Sequence, residues 1–509
     1  MSCRQRSVGL GLVIVASFWT PSCAKKSGPL DPKLVLVPFQ YVGSAPDVAW
    51  VGTALSGIVA VQTSALFASH VRDAHLTRAA QVMEGYVTGT SGDFRVTATL
   101  RNEPEQVTVR TFEARGANAI EAATALSRQI TNQPKAYSTN NPEAVRLYYS
   151  GNIDAAIAAD PGFGPAHVSR IEVLLRTGKK EEIPDALAAA KAARLSDLDS
   201  ARLETITAPT AKARTAALMK LARISSYDIQ LWRTASDAAQ TSKDHADAVG
   251  ALKKALEIDP QDASLWNTLA YVQTFSGDIE AGKQSIAEYR KLQPKDANAL
   301  DSLAEIHYYE GRFGEAEKYF LESFELNNTL IGGGSLYRAA LSRFLAGDRV
   351  KADEHYKRYS EFRAQHKDAL VPLRDAIWLY TTGRKEEARR NAGQLDSAPA
   401  KSQLLLWDMA EAKGNPALLG ARPDLEGWRL LLERRYPEAI NFWTRIYQNS
   451  SVIAGNEARM ALAWALTSAE RKPEAAPLMS KWALPPAGPE PGLSSVAVAK
   501  FIELKAGDR

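Results

Sequence analysis

The sequence predicts a mainly α-helical protein, in which a solenoid of antiparallel helix pairs follows a small α/β domain with an antiparallel hairpin. Three observations lead to this prediction. From about residue 142 onward the chain is helical in pattern and rich in Ala, Leu and Glu. Landmark residues recur in that part at intervals of 34, a period typical of stacked helical repeats. Before it, residues 34–133 contain short segments of alternating polar and apolar residues, which indicate strands.

The composition is that of an ordinary globular protein. The 509 residues correspond to about three domains of average size. Hydrophobic residues make up 45% and charged residues 24%, which excludes a mainly disordered, collagen-like or multispanning membrane protein. The net charge of +4 is too small to predict nucleic-acid binding by bulk charge. Two cysteines cannot build a disulfide scaffold, a zinc knuckle or an iron–sulfur site, so we expect no nucleic acid, no metal and no cofactor.

Residues 1–22 have the layout of an export signal. Arg4 and Arg6 form a short basic start, and residues 8–19 form an apolar run. That run has twelve residues, whereas a helix needs about 20 to span a bilayer. A short apolar run after a basic start is typical of the signals that direct bacterial export.

The residues after the apolar run resemble the signal for bacterial lipoprotein cleavage and lipidation. A small residue, Ser22, directly precedes Cys23. Thr20 and Pro21 depart from the Leu and the small residue that this signal prefers. Because Cys3 would leave with the signal, Cys23 would remain as the single thiol, and the resemblance implies its lipidation and attachment to a membrane. The alternatives are a secretory signal that releases a soluble exported protein and a retained cytoplasmic segment.

Residues 34–133 are predicted to form the small α/β domain, after a linker of turn-forming residues at 23–33. The hairpin is the clearest element, because its second strand alternates strictly after a turn at residues 89–92. Alternation implies one buried and one exposed face. The predicted elements are a strand at 34–37, a helix at 49–67, hairpin strands at 82–87 and 94–100, a third strand at 106–112 and a helix at 118–130.

The segment VMEGYVTGTSGDFRVTATL, with LVLVPF upstream of it, resembles the TolB-N-terminal-like and FlgO-like domains. These are small α/β modules that occur in bacterial envelope proteins and beside helical repeats. This chain departs from the family pattern in the very short stretch between the first helix and the hairpin, which implies that one family strand is missing. The resemblance implies a docking or structural domain without catalytic residues.

Landmark residues define the helical repeats. Three pairs of them are each 34 residues apart, namely Trp232 and Trp266, Pro260 and Pro294, and Gly277 and Gly311. A glycine followed five residues later by a small residue also recurs, at Gly277/Gly282, Gly311/Ala316, Gly347/Ala352 and Gly383/Ala388. The glycine permits the turn between antiparallel helices, and the small residue lets those helices approach closely. Because one helix pair cannot bury its apolar face alone, stacked pairs supply the core.

These coincident landmarks, at that period, resemble the tetratricopeptide repeat (TPR) family. The resemblance divides the chain into clear repeats at 229–330, degenerate repeats at 142–228 and 331–484, and a C-terminal loop and short helix at 485–509. The run Gly332-Gly333-Gly334 lengthens one interval from 34 to 36 residues. We interpret it as a loop between repeats rather than a phosphate-binding loop, which would need a preceding strand and a following Lys-Ser/Thr.

The TPR resemblance implies a concave groove, lined by the first helix of each pair, that binds a protein or peptide partner. The positions predicted to face this groove are Asn267, Tyr271, Phe275, Asp301, Tyr308, Tyr309, Tyr337 and Phe344, with Thr274, Glu305 and Leu341 beside them. Tyr and Phe suit partner capture, because they bury a large area at a low cost in side-chain entropy. The alternative is that several of them pack against neighbouring helices, above all Phe275 and Phe344.

One family function can be tested by residue type. Chaperone-binding TPR domains hold a C-terminal carboxylate with Lys and Asn at set groove positions. In this sequence Arg233 and Asp237, then Asn267 and Tyr271, occupy the corresponding positions. Because Asp237 would repel a carboxylate, this carboxylate clamp is not predicted.

The sequence offers no recognisable catalytic or metal-binding constellation. Its seven histidines are scattered without a His-Glu-x-x-His pair, and no nucleophile motif has a supporting context. We therefore predict a non-enzymatic scaffold of the bacterial cell envelope, exported either as a periplasm-facing outer-membrane lipoprotein or as a periplasmic protein. The second interpretation is an inner-membrane or cytoplasmic signalling adaptor, and the third is an unrecognised enzyme.

Overall fold

The computed structural model describes residues 34–44, 48–67, 81–102, 107–226, 228–420, 423–450 and 455–507. The predicted export signal, Cys23 and the linker at 23–33 lie outside these residues. The described residues have the predicted architecture, a small α/β domain followed by an α-solenoid. None of their helices combines the length and the hydropathy that crossing a membrane requires.

The α/β domain is a mixed sheet with two helices packed on one face. Its strands are β1 (Leu34–Leu36), β2 (Gln40–Tyr41), β3 (Leu66–Phe67), β4 (Gln81–Thr90), β5 (Asp93–Asn102) and β6 (Val107–Gly116). Its helices are α1 (Trp50–Thr63) and α2 (Ala119–Ile130). Strands β4, β5 and β6 form an antiparallel meander, and β1 lies parallel to β4 on one side and to β3 on the other. The core between sheet and helices includes Leu55, Ile58, Met83, Phe94 and Leu126.

The structure changes one predicted element of this domain. The helix predicted over 49–67 ends at Thr63, because Ser64 adopts the left-handed conformation with φ 56°. The next residues form β3, so a short strand does lie between the first helix and the hairpin. The last helix begins as predicted, since the Asn118 side chain accepts a hydrogen bond from the Glu121 N–H and caps α2.

Helices α3 to α24 form the solenoid. They are α3 (Pro142–Tyr149), α4 (Ile153–Ala159), α5 (Gly164–Thr177), α6 (Ile183–Ala192), α7 (Asp197–Thr207), α8 (Ala211–Ile224), α9 (Ile229–Thr241), α10 (His245–Ile258), α11 (Ala263–Phe275), α12 (Ile279–Leu292), α13 (Ala297–Glu310), α14 (Phe313–Leu326), α15 (Gly334–Leu345), α16 (Arg349–Gln365), α17 (Val371–Thr381), α18 (Lys385–Gly393), α19 (Ala398–Ala410), α20 (Glu426–Leu432), α21 (Tyr436–Gln448), α22 (Asn456–Ser468), α23 (Lys472–Met479) and α24 (Leu493–Gly507).

In seven helix pairs the turn between the two helices has the same pattern, with one residue in the left-handed conformation. The four landmark glycines, Gly277, Gly311, Gly347 and Gly383, have φ between 85° and 99°. Non-glycine residues take the same conformation in three further pairs, namely Lys243, Arg434 and Glu470. Five residues after each of these seven positions a small residue is buried: Ala248, Gly282, Ala316, Ala352, Ala388, Ala439 and Ala475. The structure therefore extends the turn pattern to pairs that lack the glycine.

The first helices of neighbouring pairs also begin alike. Asp228, Asp262 and Asp296 are spaced by 34 residues, and each caps its helix by accepting hydrogen bonds from backbone N–H groups of the first turn. The indole N–H of Trp232 and that of Trp266 each donate to a carbonyl six residues earlier, at 2.9 Å. Trp232 and Trp266 therefore stabilise the turns that lead into α9 and α11.

Candidate functional site

The groove is lined by the first helices of successive pairs, and a C-terminal segment of the same chain runs along it. We call residues 482–492 the strap. Hydrogen bonds connect the strap to residues of α13, α15, α17, α19 and α22. Helix α24 follows the strap and packs against α17, α19 and α22. The sequence predicted a loop and a short helix here, but not their position in the groove.

Trp482 anchors the start of the strap. Its side chain is 7% exposed and packs edge-on against Phe313 and Tyr308, with ring centroids 5.1 and 6.4 Å apart. The Trp482 N–H donates to the carbonyl of Tyr309 at 3.0 Å. The Trp482 carbonyl accepts from Arg459 Nη2 at 2.7 Å. These contacts hold the first residue of the strap between α13 and α22.

Amide side chains of the inner helices bind the main chain of the strap. The Leu484 N–H donates to Asn456 Oδ1 at 3.1 Å, and Asn456 Nδ2 donates back to the Leu484 carbonyl at 3.2 Å. At the other end, the Gly492 N–H donates to Gln403 Oε1 at 2.7 Å. This recognition involves backbone groups, so it depends on an extended chain more than on particular side chains.

Two arginines contact the middle of the strap. Arg338 Nε donates to the carbonyl of Pro486 at 3.3 Å. Arg374 Nη1 lies 2.5 Å from Glu490 Oε1, and its Nε lies 2.8 Å from Asp368 Oδ2. Arg374 is 6% exposed, whereas the Glu490 side chain is 60% exposed. The buried arginine thus has a buried partner within the solenoid and a solvent-exposed partner on the strap.

Gly334 lies directly beneath the strap. A Cβ at this position would be 2.3 Å from the carbonyl oxygen of Ala487. The backbone of Gly334 is helical, with φ −62°, so the close approach of the strap, and not a special conformation, requires glycine here. The preceding Gly332 and Gly333 form a turn with positive φ. The glycine run, predicted as a loop between repeats, therefore also makes room for the C-terminal segment.

Beyond the start of the strap, three partly exposed aromatic side chains form a continuous stack, which we call the aromatic ladder: Tyr271 and Phe275 on α11 and Tyr309 on α13. The rings of Tyr271 and Phe275 are stacked 5.9 Å apart, and those of Phe275 and Tyr309 meet edge to face at 5.2 Å. One turn before Tyr271, Asn267 has a buried Oδ1 without a hydrogen-bond partner among the described residues. The ladder therefore presents apolar rings in the groove, and the Asn267 amide lies one turn away from it.

A buried charge network connects the ladder with the strap. The Tyr271 hydroxyl donates to Glu305, and Arg338 Nη1 lies 2.9 Å from the same carboxylate. Arg338 also binds Asp301, which accepts from Ser335 Oγ at 2.6 Å. Burial raises the pKa of Glu305, and the neighbouring Asp301 adds to this effect, although Arg338 opposes it. The Arg338 guanidinium therefore pairs with the carboxylates of Asp301 and Glu305 and also contacts the strap.

Arg459 lies where the ladder meets the strap. It is 7% exposed, and its contacts among the described residues include no carboxylate. Its guanidinium lies 5.7 Å from the centroid of the Tyr309 ring and 5.8 Å from that of Phe501. Burial lowers the pKa of Arg459. The positive charge is stabilised by the two rings and by the Trp482 carbonyl.

The structure divides the residues predicted to face the groove into two groups. Partly exposed side chains belong to Asn267, Tyr271, Phe275, Tyr309 and Phe344, the last packed beside Trp378. Buried side chains belong to Asp301, Tyr308, Tyr337, Thr274, Glu305 and Leu341. This second group is buried in helix packing, in the charge network or against the strap, so these side chains are not accessible to a partner as predicted. For the first group, contact with a partner remains a prediction.

The geometry of a helix explains why predicted groove residues that are adjacent in sequence differ in exposure. Tyr308 and Tyr309 are consecutive, so their side chains point about 100° apart around α13. Tyr309 joins the ladder, whereas Tyr308 packs against Phe313 and Trp482. Tyr337 is 1% exposed and is surrounded by the rings of Tyr356, Tyr359 and Trp378.

The side chains that donate or accept hydrogen bonds to the strap were missed by the sequence analysis. Arg338 and Pro486 are 148 residues apart in the chain, and Arg374 and Pro489 are 115 apart. No local pattern marks the arginines. The one available signal was the run PPAGPEP at residues 485–491, because closely spaced prolines favour an extended conformation that a groove can bind.

Comparison with known proteins identifies the repeats. Two family models, both described as tetratricopeptide repeat, match residues 239–306 and 297–330. The chain therefore contains TPR repeats, and both matches lie within the region where the resemblance was clearest, 229–330. Because TPR repeats typically bind other proteins, they indicate a protein–protein interaction scaffold.

Among solved structures, the crystal structure of the P58(IPK) TPR domain is similar at 16% sequence identity. The match covers 74% of this chain and 90% of that chain, with a TM-score of 0.20. None of the curated proteins matches this chain.

Proposed function

We propose that the protein is a non-enzymatic scaffold that captures a protein partner on the aromatic ladder. The observation that carries the proposal is the stack of Tyr271, Phe275 and Tyr309, which remains partly exposed in the groove of TPR repeats. Rings of this kind bury large areas on binding and contribute strongly to interfaces. The neighbouring Arg459, without a carboxylate partner among the described residues, favours a partner that brings an acidic residue to the end of the ladder.

We further propose that this scaffold works in the bacterial cell envelope, exported and attached to a membrane through Cys23. The basis is the basic and apolar start of the chain and the Ser22-Cys23 pair. Cys23→Ser should move the protein from the membrane fraction to the soluble exported fraction, whereas the matched Cys3→Ser should leave it in the membrane fraction. Equal fractionation of the two variants would contradict lipidation at Cys23.

The partner-binding proposal is tested by site-specific photocrosslinking in the native cell. A photoreactive amino acid replaces Phe275, and a second variant carries it at Val350, which is 73% exposed on α16, the second helix of its pair. We expect a discrete crosslinked protein from position 275 and none of the same mass from position 350. Arg459→Met should weaken that crosslink, because it removes the charge at the end of the ladder.

Three other outcomes would count against the proposal. Crosslinks from position 275 only to neighbouring helices of the same chain would mean that the ladder belongs to the core. An identical capture pattern at positions 275 and 350 would mean that the surface is not selective. Capture of cytoplasmic proteins alone would contradict the envelope location and favour an adaptor.

A further inference from the structure

The strap is bound as a separate peptide ligand would be. Its backbone N–H and carbonyl groups pair with side chains of the groove, notably Asn456 and Gln403. Between Leu484 and Gly492 the chain forms neither helix nor strand and contains four prolines, which favour extended backbone. It bends at residues 487–488, where the Glu490 N–H donates to the Gly488 carbonyl at 2.9 Å. Extended proline-containing segments are a common ligand class, because little conformational entropy is lost when they bind.

The two ends of the strap are held more firmly than its middle. Trp482 is buried at one end, and α24 buries Val496, Val498 and Phe501 at the other. In the middle, the Pro486 and Pro489 carbonyls accept only long hydrogen bonds, 3.3 and 3.5 Å. Glu490 is mostly in solvent, so its ion pair contributes little to stability. The middle also buries Pro485, Gly488 and Pro489, but its polar contacts with the groove are weaker than those at the ends.

The two arginines that contact the middle of the strap also have partners within the solenoid. Arg374 keeps its ion pair with Asp368, and Arg338 keeps those with Asp301 and Glu305. Removal of the strap therefore leaves both of these buried guanidinium groups paired with a carboxylate, whereas an unpaired buried charge would be strongly destabilising.

We propose that the strap is an internal ligand that blocks a peptide site between α13 and α19, and that an extended, proline-containing protein segment with a carboxylate at the place of Glu490 displaces it. The site recognises such a segment through Arg338 and Arg374, which contact the middle of the strap. This peptide site is distinct from the aromatic ladder, so the proposal for it does not depend on the proposed function. Partner entry thus requires the middle of the strap to move out.

The test uses the full chain and a fluorescent synthetic peptide, LPPAGPEPG, which has the sequence of residues 484–492. Binding is measured by fluorescence anisotropy. In the wild-type chain the strap competes, and the apparent affinity is reduced by the fraction of molecules with an open groove. Glu490→Ala removes the ion pair of the strap with Arg374, and we expect it to bind the peptide about two- to fivefold more tightly, as loss of an exposed ion pair implies.

The matched control is Glu503→Ala, which removes an ion pair with Lys385 from α24 but none from the strap. We expect it to bind the peptide with wild-type affinity. A peptide with Gln in place of its Glu should bind more weakly to all three chains, because it cannot pair with Arg374. Equal affinities of Glu490→Ala and wild type, or of the two peptides, would overturn the proposal.

A second variant replaces residues 485–492 by a Gly-Ser linker of the same length, which leaves Trp482 and α24 in place. We expect a melting temperature close to that of the wild type and a larger gain in peptide affinity than for Glu490→Ala, at least tenfold. If the linker variant unfolds at a much lower temperature, or folds and binds the peptide no better, the strap is a permanent part of the core and the proposal is wrong.

Discussion

The groove has a part that the strap covers and a part that stays open, and both are built from the same kind of repeat. Between α13 and α19 the strap covers the inner helices, and side chains such as Tyr337 and Arg374 are buried. Along α11 and at the end of α13 the aromatic side chains Tyr271, Phe275 and Tyr309 stay partly exposed. Both parts carry aromatic residues on their first helices, so residue type alone does not distinguish core from surface. What distinguishes them is what packs against them: Tyr337 is surrounded by Tyr356, Tyr359 and Trp378, and Arg374 is covered by the strap.

The accessible surface of this solenoid depends on a segment that is distant in sequence. The strap comes from the last tenth of the chain and crosses repeats that begin about 150 residues earlier. Without the strap, a repeat with the same residues would expose a different surface. The charge network of Glu305, Arg338 and Asp301 lies at the boundary, in contact with Tyr271 on one side and with Pro486 on the other.

The largest expected difference between the two parts is in the effect of removing an aromatic ring. Tyr337→Ala should lower the free energy of unfolding by about 3–5 kcal/mol, because it leaves a cavity in a packed core. The matched Phe275→Ala in the ladder should lower it by about 1–2 kcal/mol, since the ring is partly exposed. Urea unfolding followed by circular dichroism measures both values. Equal losses would remove the distinction between a covered and an open part of the groove.

A second prediction concerns the turns, which should not differ between the parts. Gly277→Ala after α11, which carries the ladder, and Gly347→Ala after α15, which contacts the strap, should each lower stability by about 1 kcal/mol, because these glycines have φ of 99° and 96°. An added Cβ would meet open space at both positions, so no clash contributes. Glu470→Gly should have the opposite sign, with a gain below about 1 kcal/mol, since it relieves the strain of a left-handed residue. Thermal melts of the three variants test this, and a larger loss for one glycine variant would show that the strap also stabilises the turns.

The smallest expected effect is a pH dependence of stability at Glu305, in the charge network between the ladder and the strap. Because the pKa of Glu305 is raised in the folded state, that state binds the proton more tightly than the unfolded chain. The contribution of Glu305 to stability is therefore fully present below the unfolded pKa and is lost as the pH rises through the folded pKa. Glu305→Gln keeps an acceptor for the Tyr271 hydroxyl and removes this dependence.

The stability of Glu305→Gln relative to wild type should thus increase between pH 4 and pH 8. Asp301→Asn is the matched control, since Asp301 accepts hydrogen bonds from Ser335 and Arg338, and it should destabilise the protein across that range. Melting temperatures at several pH values measure both variants. A constant difference between Glu305→Gln and wild type would mean that Glu305 stays ionised in the folded protein.

Much of the fold was predictable from local sequence, for identifiable reasons. A left-handed glycine followed by a small residue specifies a helical hairpin through the backbone of a few residues, and strict alternation in the 94–100 segment specifies a strand with one buried face. The prediction failed where such signals are absent. Lys243, Arg434 and Glu470 occupy the turn position without the glycine, and the break after Thr63 depends on Ser64, which carries no turn signal of its own.

The candidate site was predictable only in part. Periodicity placed Tyr271, Phe275 and Tyr309 on the first helices, and these are partly exposed. It could not separate Tyr309 from Tyr308, because a shift of one residue turns a side chain by about 100° and the register of a helix against its neighbours depends on their packing.

The repeat architecture follows from interactions between residues that are close in the chain, so the order of residues was enough to establish it. The covered half of the groove depends on contacts between residues far apart in the chain, such as Arg374 with Glu490 and Gln403 with the end of the strap. Those contacts form only after the solenoid has curved and brought its inner helices around the C-terminal segment. Tertiary structure alone therefore decides which aromatic residues belong to the core and which are left for a partner.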